Sequence, residues 1–105
     1  MNKLQKEIEQ YDKKYWDLYD KPKIDNIHHI VGHLNKLLGK IGEYTDVYDH
    51  IDSAEQEKVI NEAIPDLLAH GYRLANLFSI DAEQLFEKRL ASLREHFDAQ
   101  KVTNE

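Results

Sequence analysis

His29 and His33 stand four residues apart, with His28 beside the first and Asp25 one turn before it. Two imidazoles at that spacing share one face of a helix, where their nitrogens can meet a single transition-metal ion. No Glu or third ligand stands where a known zinc pattern needs it, so the pair reads first as ordinary histidines at a helix surface or interface. His50, His70 and His96 are scattered, and no Ser or Thr is placed to act as a nucleophile with any of them as base. Tyr11, Tyr15, Trp16 and Tyr19 form an aromatic stripe that could stack on a nucleobase. Such a stripe is more often core or dimer interface. Lys13, Lys14, Lys21 and Lys23 make the same region locally basic, in a cluster of the size usual for a solvated surface.

These residues need a scaffold, and the composition limits which one. At 105 residues the chain is one domain with a small core of its own. Short helical chains with long apolar stripes often associate, so a homo-oligomer is expected. The net charge of -6, from 20 acidic against 14 basic residues, argues against nucleic acid as a partner, since backbone binding rests on clustered Lys and Arg. No cysteine is present, which excludes disulfides, thiolate nucleophiles and zinc ribbons. The longest apolar run falls far short of the roughly 18 residues of a membrane span. "MNKLQKEIEQ" is too polar for a signal peptide, and a cytoplasmic protein is expected.

Four Gly and two Pro among abundant Leu, Ala, Glu, Lys and Gln favour helix nearly everywhere. The first helix is expected from Asn2 to about Tyr19, with Leu4, Ile8, Tyr11, Tyr15 and Leu18 as its apolar stripe, and "DKPK" at Asp20 to Lys23 ends it. The second begins near Asp25 or Asn26 and runs to about His50, with Ile27, Ile30, Val31, Leu34, Leu37, Leu38 and Ile41 on one face. Gly32, Gly39 and Gly42 suggest close approach of another helix, or a break near Gly42. Ser53 and Gln56 fit a capping box for the third helix, which runs to about Phe78 and which Pro65 should bend. The last helix starts at Ser79 or Asp81, turns Leu85, Phe86, Leu90, Leu93 and Phe97 inward, and frays over residues 99–105. The expected fold is an all-α bundle of about four helices.

"IPDLLAHGYRLANLFSID", Ile64 to Asp81, and "LFEKRLASLREHF", Leu85 to Phe97, resemble the MazG-like all-α nucleoside triphosphate pyrophosphatases. That family carries "EExxE" on one helix and "ExxD" on a later one, followed by "LLxYxxRLAxxLGID" and a helix with a Lys. The similarity covers roughly His28 to Phe97, so residues 1–24 read as an N-terminal helix and turn, and residues 25–98 as the family-like helices. In such enzymes Mg2+ gathers Asp and Glu oxygens from facing helices and holds the triphosphate for attack by water.

Laid on the family pattern, "LNKLLGKI" at Leu34 to Ile41 puts Lys36, Leu37 and Lys40 at the three glutamate positions. Asp66 matches the family aspartate, Ala63 stands where its glutamate should be, and Glu62 is one residue away, about 100° around the helix. A register shifted by three residues makes "GKIGEY" the match and brings in Glu43, with Asp46 at i, i+3. The resemblance also puts Arg73, Asn76 and Lys88 where polar groups approach phosphate or the metal shell, so that they could bind a nucleotide or simply brace the bundle.

The favoured expectation is a MazG-like fold, catalytically impaired or inactive, serving as a nucleotide-binding or interaction module. In it Lys36 and Lys40 either replace the metal as counter-charges to Asp66 or Glu62 or lie on a solvated face, and a nucleotide would be met by them together with Arg73, Asn76 and Lys88. The alternative is a working Mg2+-dependent pyrophosphatase whose metal is held by Glu43, Asp46, Glu62 and Asp66. Either implies a dimer or tetramer, as in the family.

Overall fold

In the computed structural model residues 2–16, 19–44 and 57–104 are described. Among them every regular element is helical: α1 (Lys3–Tyr15), α2 (Lys23–Tyr44), a π-helical turn (Val59–Ala63), α3 (Ile64–Leu77) and α4 (Ala82–Asn104).

Local chemistry sets the helix ends. Asn2 caps α1, its Oδ1 accepting from the Gln5 N–H at 2.8 Å. The helix stops at Tyr15, short of the expected end near Tyr19 and about two turns before Pro22. α2 starts directly after that proline, whose carbonyl accepts from the N–H groups of Asp25 (3.0 Å) and Asn26 (3.3 Å). Asn26 is therefore a residue of the first turn rather than the cap. It is buried, and its Nδ2 donates to the Lys21 carbonyl at 3.3 Å.

The expected continuation of α2 to His50 and the capping box at Ser53 and Gln56 lie outside the described residues, as do Leu18 and Asp46. Pro65 produces a change of register: the turn ahead of it is π-helical, with Ile64 N–H bonded to the carbonyl of Val59. That wider turn makes room for a ring that excludes the carbonyl four residues back.

α3 ends in a Schellman arrangement. Ile80 N–H bonds to Ala75 C=O at 3.0 Å and Ser79 N–H to Asn76 C=O at 3.1 Å, with Ser79 in the left-handed region at φ 56°. Ser79 thus closes α3, and Asp81 opens α4, its Oδ1 accepting from Glu83 N–H (3.0 Å) and Gln84 N–H (3.3 Å). α4 continues to Asn104, past the point where fraying was expected.

α3 is central. Gln5 meets Asn76 while Asp12 meets Arg73, so α1 runs antiparallel to α3. Ile30 packs with Leu77 while His33 stacks on His70, so α2 is antiparallel to it as well. The apolar core is small: Ile30 and Leu77 are buried, with Trp16, Tyr19, Ile27, Leu34 and Leu74 packed around them. Leu37, Ala63 and Ala75 are buried too.

The face that α1 buries is its polar one, Gln5 and Asp12, both fully buried. Its apolar stripe, Leu4, Tyr11 and Tyr15, is exposed, which corrects the periodicity reading. Gln5 is a structural hub: its Nε2 donates to Asn76 Oδ1 (2.9 Å) and Ile80 C=O (2.8 Å), and its Oε1 accepts from Ala82 N–H (2.9 Å). This one amide ties α1 to the end of α3 and the start of α4. Gln5→Met, which keeps the volume and removes the amide, is expected to lower unfolding free energy by about 1–3 kcal/mol, because buried partners are left unsatisfied. Urea denaturation of the two proteins measures it; an unchanged midpoint would contradict the network.

α4 packs sparingly on the rest. Leu85, Phe86 and Phe97, expected to face inward, are exposed in the single chain, while Leu90 and Leu93 are half-buried. A Cβ placed on Gly32 or Gly39 would meet nothing within 4 Å, so among the described residues no other helix approaches α2 there.

Candidate functional site

The densest polar chemistry lies where α1, α2 and α3 meet, and Arg73 is its centre. Its Nε donates to both carboxylate oxygens of Asp12, at 2.9 and 3.0 Å. Nη1 lies 3.3 Å from His70 Nδ1. The guanidinium carbon sits 4.3 Å from the centroid of Trp16, a cation–π contact.

An arginine only donates, so Nδ1 of His70 accepts and its neutral ring carries the proton on Nε2. Burial pushes His70 down to about 4, with the charge of Arg73 and the neighbouring His33 acting in the same direction. Asp12 is displaced the other way: burial raises its carboxyl, and the bond to Arg73 and its charge pull it back only in part. The phenol of Tyr19, its hydroxyl buried beside Asn76, is pushed up to about 12, chiefly by burial and next by the charges of Asp12 and Glu9.

Beside this network the rings of His29, His33 and His70 form a row with Trp16. His29 and His33 have centroids 4.7 Å apart, His33 and His70 are stacked at 5.4 Å, and Trp16 is 5.2 Å from both His29 and His33. The Nε2 atoms of His29 and His33 approach to 3.1 Å. His33 is held below its ordinary value, first by burial and then by His29, Lys36 and Arg73, with Asp66 opposing.

The positions that the MazG-like pattern assigns to metal are arranged differently. Leu37 and Ala63, two of the glutamate positions, are buried, Ala63 in a π-helical turn that packs on α2. Lys36, Lys40, Glu43, Glu62 and Asp66 are exposed. Among the described residues no group of three or more His, Asp or Glu side chains is disposed to hold a metal ion. In the unshifted register lysine, leucine and alanine stand at four of the pattern's positions and offer Mg2+ no oxygen, while of the shifted set Glu43, Glu62 and Asp66 are exposed and Asp46 lies outside the described residues. No ion pair joins Lys36 or Lys40 to Asp66 or Glu62 among the described residues, so of the two readings of these lysines the solvated face is the one found.

Of the groups expected around a nucleotide, Arg73 and Asn76 are buried and engaged internally. Asn76 Oδ1 accepts from Gln5 Nε2, and its Nδ2 donates to the Gln5 carbonyl at 3.2 Å. Lys88 is exposed on α4. Sequence reasoning missed the Asp12–Arg73 pair and the joining of His70 to His29 and His33. The available signal was the spacing of Gln5 and Asp12, seven residues apart and so on one face of α1.

The other prominent feature is apolar. Between α3 and α4 lies a groove of about 770 Å3 whose walls include Leu67, Leu68, Phe78, Leu85 and Phe86. Leu68 is 64% and Phe86 66% exposed. No described helix is long and apolar enough to cross a membrane. Comparison with protein-family models, with curated proteins and with solved structures gave no match, so the MazG-like resemblance rests on the quoted residues alone.

Proposed function

We propose that this chain is a MazG-like all-α domain that has lost pyrophosphatase chemistry and works as an interaction module, assembling first with a second copy of itself through α4 and the groove beside it. The observation that carries this reading is the unpartnered apolar surface of α3 and α4. The chain exposes 8400 Å2, against about 6,100 Å2 for a compact monomer of this size. Its radius of gyration is 17.5 Å, where about 13 Å is usual for 100 residues. The excess of roughly 2,000 Å2 exceeds the roughly 800 Å2 that each partner contributes to a standard interface. Leu68, Phe78, Leu85 and Phe86 border one continuous groove, the form a helix from another copy would fill.

The loss of catalysis is supported by the residue types and burial at the pattern's metal positions. Leu37 and Ala63 act as packing, and Lys36 and Lys40 bring positive charge where a cation would have to sit. A nucleotide would have to compete for Arg73 and Asn76 with Asp12 and Gln5, to which they are bonded.

Sedimentation equilibrium on the wild type and on Leu85→Glu with Phe86→Glu tests the assembly. A dimer or tetramer that becomes a folded monomer in the double variant is expected. A wild-type monomer at every concentration overturns it. Pyrophosphate release from nucleoside triphosphates with Mg2+ or Mn2+, abolished by Asp66→Ala, would overturn the loss of catalysis.

A further inference from the structure

We propose that His29 and His33 form a two-histidine chelate for a divalent transition-metal ion, Cu2+ foremost, on the exposed side of α2. The inference is independent of the assembly reading. Its basis is the 3.1 Å separation of the two Nε2 atoms. Two metal–nitrogen bonds of about 2.0–2.1 Å meeting at a right or tetrahedral angle span about 2.9–3.4 Å, so both lone pairs are already within chelating distance. In the metal-free chain a proton on one Nε2 can bridge this gap, and only the other nitrogen then offers its lone pair. A metal replaces that shared proton when both rings present their unprotonated Nε2.

Three further features favour the pair. Four-residue spacing on a continuous helix fixes the two Cβ atoms on one face, so little order is gained or lost on binding. The rings are held from below: Trp16 lies 5.2 Å from both, and His33 stacks on His70. His29 is itself exposed, so an ion with a water shell reaches it from solvent.

His70 does not complete the set, because its Nδ1 is occupied by Arg73. The site therefore has two protein ligands, and water fills the remaining positions. The charges facing it are Asp66 on one side and Lys36 and Arg73 on the other, so the ligand bonds rather than the local field must supply the affinity. Imidazole donors suit Cu2+, Ni2+ and Zn2+ and not Mg2+, and affinity among divalent first-row ions peaks at Cu2+.

Trp16 is the only tryptophan in the chain, and it touches both ligands. A Cu2+ ion seated on the pair therefore quenches its fluorescence directly. Titration of the full chain with Cu2+ is expected to give saturable quenching at one ion per chain. His29→Gln and His33→Gln should each weaken binding by at least the roughly 10–100-fold that loss of an outer-shell partner costs at a metal site. His28→Gln, one residue around the helix, should leave it unchanged. Circular dichroism confirms that each variant is folded, and His29→Gln, altered at an exposed position, decides the matter if His33→Gln is not. Quenching that is unsaturable, or that survives unchanged in folded His29→Gln, overturns the site.

Discussion

Arg73→Ala is expected to remove about 3–5 kcal/mol of folding stability, the loss seen when one partner of a buried ion pair is deleted. Arg73 holds both oxygens of a fully buried carboxylate, donates to His70 and covers the face of Trp16. Its removal leaves Asp12 charged and unpaired inside α1 and α3, His70 Nδ1 without a donor, and a hole beside the indole.

Arg73→Lys is expected to lose less, because an ammonium can serve Asp12 but cannot also reach His70 and stack on Trp16 in one geometry. Replacing both partners together, Asp12→Leu with Arg73→Met, should recover much of the loss, since the desolvation of two charges is removed along with their attraction. Urea unfolding of the wild type, Asp12→Leu, Arg73→Met and the double variant closes a double-mutant cycle and gives the coupling energy. An Arg73→Ala loss below about 1 kcal/mol, the range of exposed pairs, would mean that the pair is not buried in solution.

The all-helical class, the start of α2 to within two or three residues and the cap of α4 as one of two candidates, Ser79 or Asp81, were legible because each is a local event. Composition and one or two backbone-restricting or capping residues decide them. Ile30, Leu37 and Ala75 were legible as apolar positions on helices with a 3.6-residue period.

The buried face of α1 was not legible, because the period counts apolar residues and assumes that they point inward. In α1 the inward positions are Gln5 and Asp12, and what makes them tolerable inside is Asn76 and Arg73, 71 and 61 residues away. The sequence contains those partners, but their pairing depends on the antiparallel approach of α1 to α3. The exposed stripe of Leu4, Tyr11 and Tyr15 follows from the same fact. The candidate site divides in the same way. The spacing of His29 and His33 is local and was visible, whereas the arrival of His70 and Trp16 beside them requires three helices to be assembled.

Acid is expected to weaken the fold through His70. Its ring is pushed down to about 4 from an ordinary value of 6.5 by burial, by Arg73 and by His33. A group whose folded-state value is depressed contributes stability that is fully present above its unfolded value and is lost as pH falls through the folded one. The window is therefore pH 6.5 down to about 4, and the full contribution is about 3 kcal/mol.

Asp12 acts in the opposite sense. Its folded-state carboxyl is raised, so its contribution is largest below the unfolded value of 3.8 and declines as pH rises through the folded one. A wild-type pH curve alone mixes the two. The difference between wild type and His70→Asn separates them, because asparagine keeps an acceptor near the Nδ1 position for Arg73 and cannot be protonated. Urea unfolding across that window, in the presence of a chelator to keep His29 and His33 metal-free, should show wild-type stability falling more steeply toward acid than that of the variant. Parallel curves would mean that His70 is free to take up its proton in the folded chain, and with it that Arg73 does not hold the Nδ1 face closed.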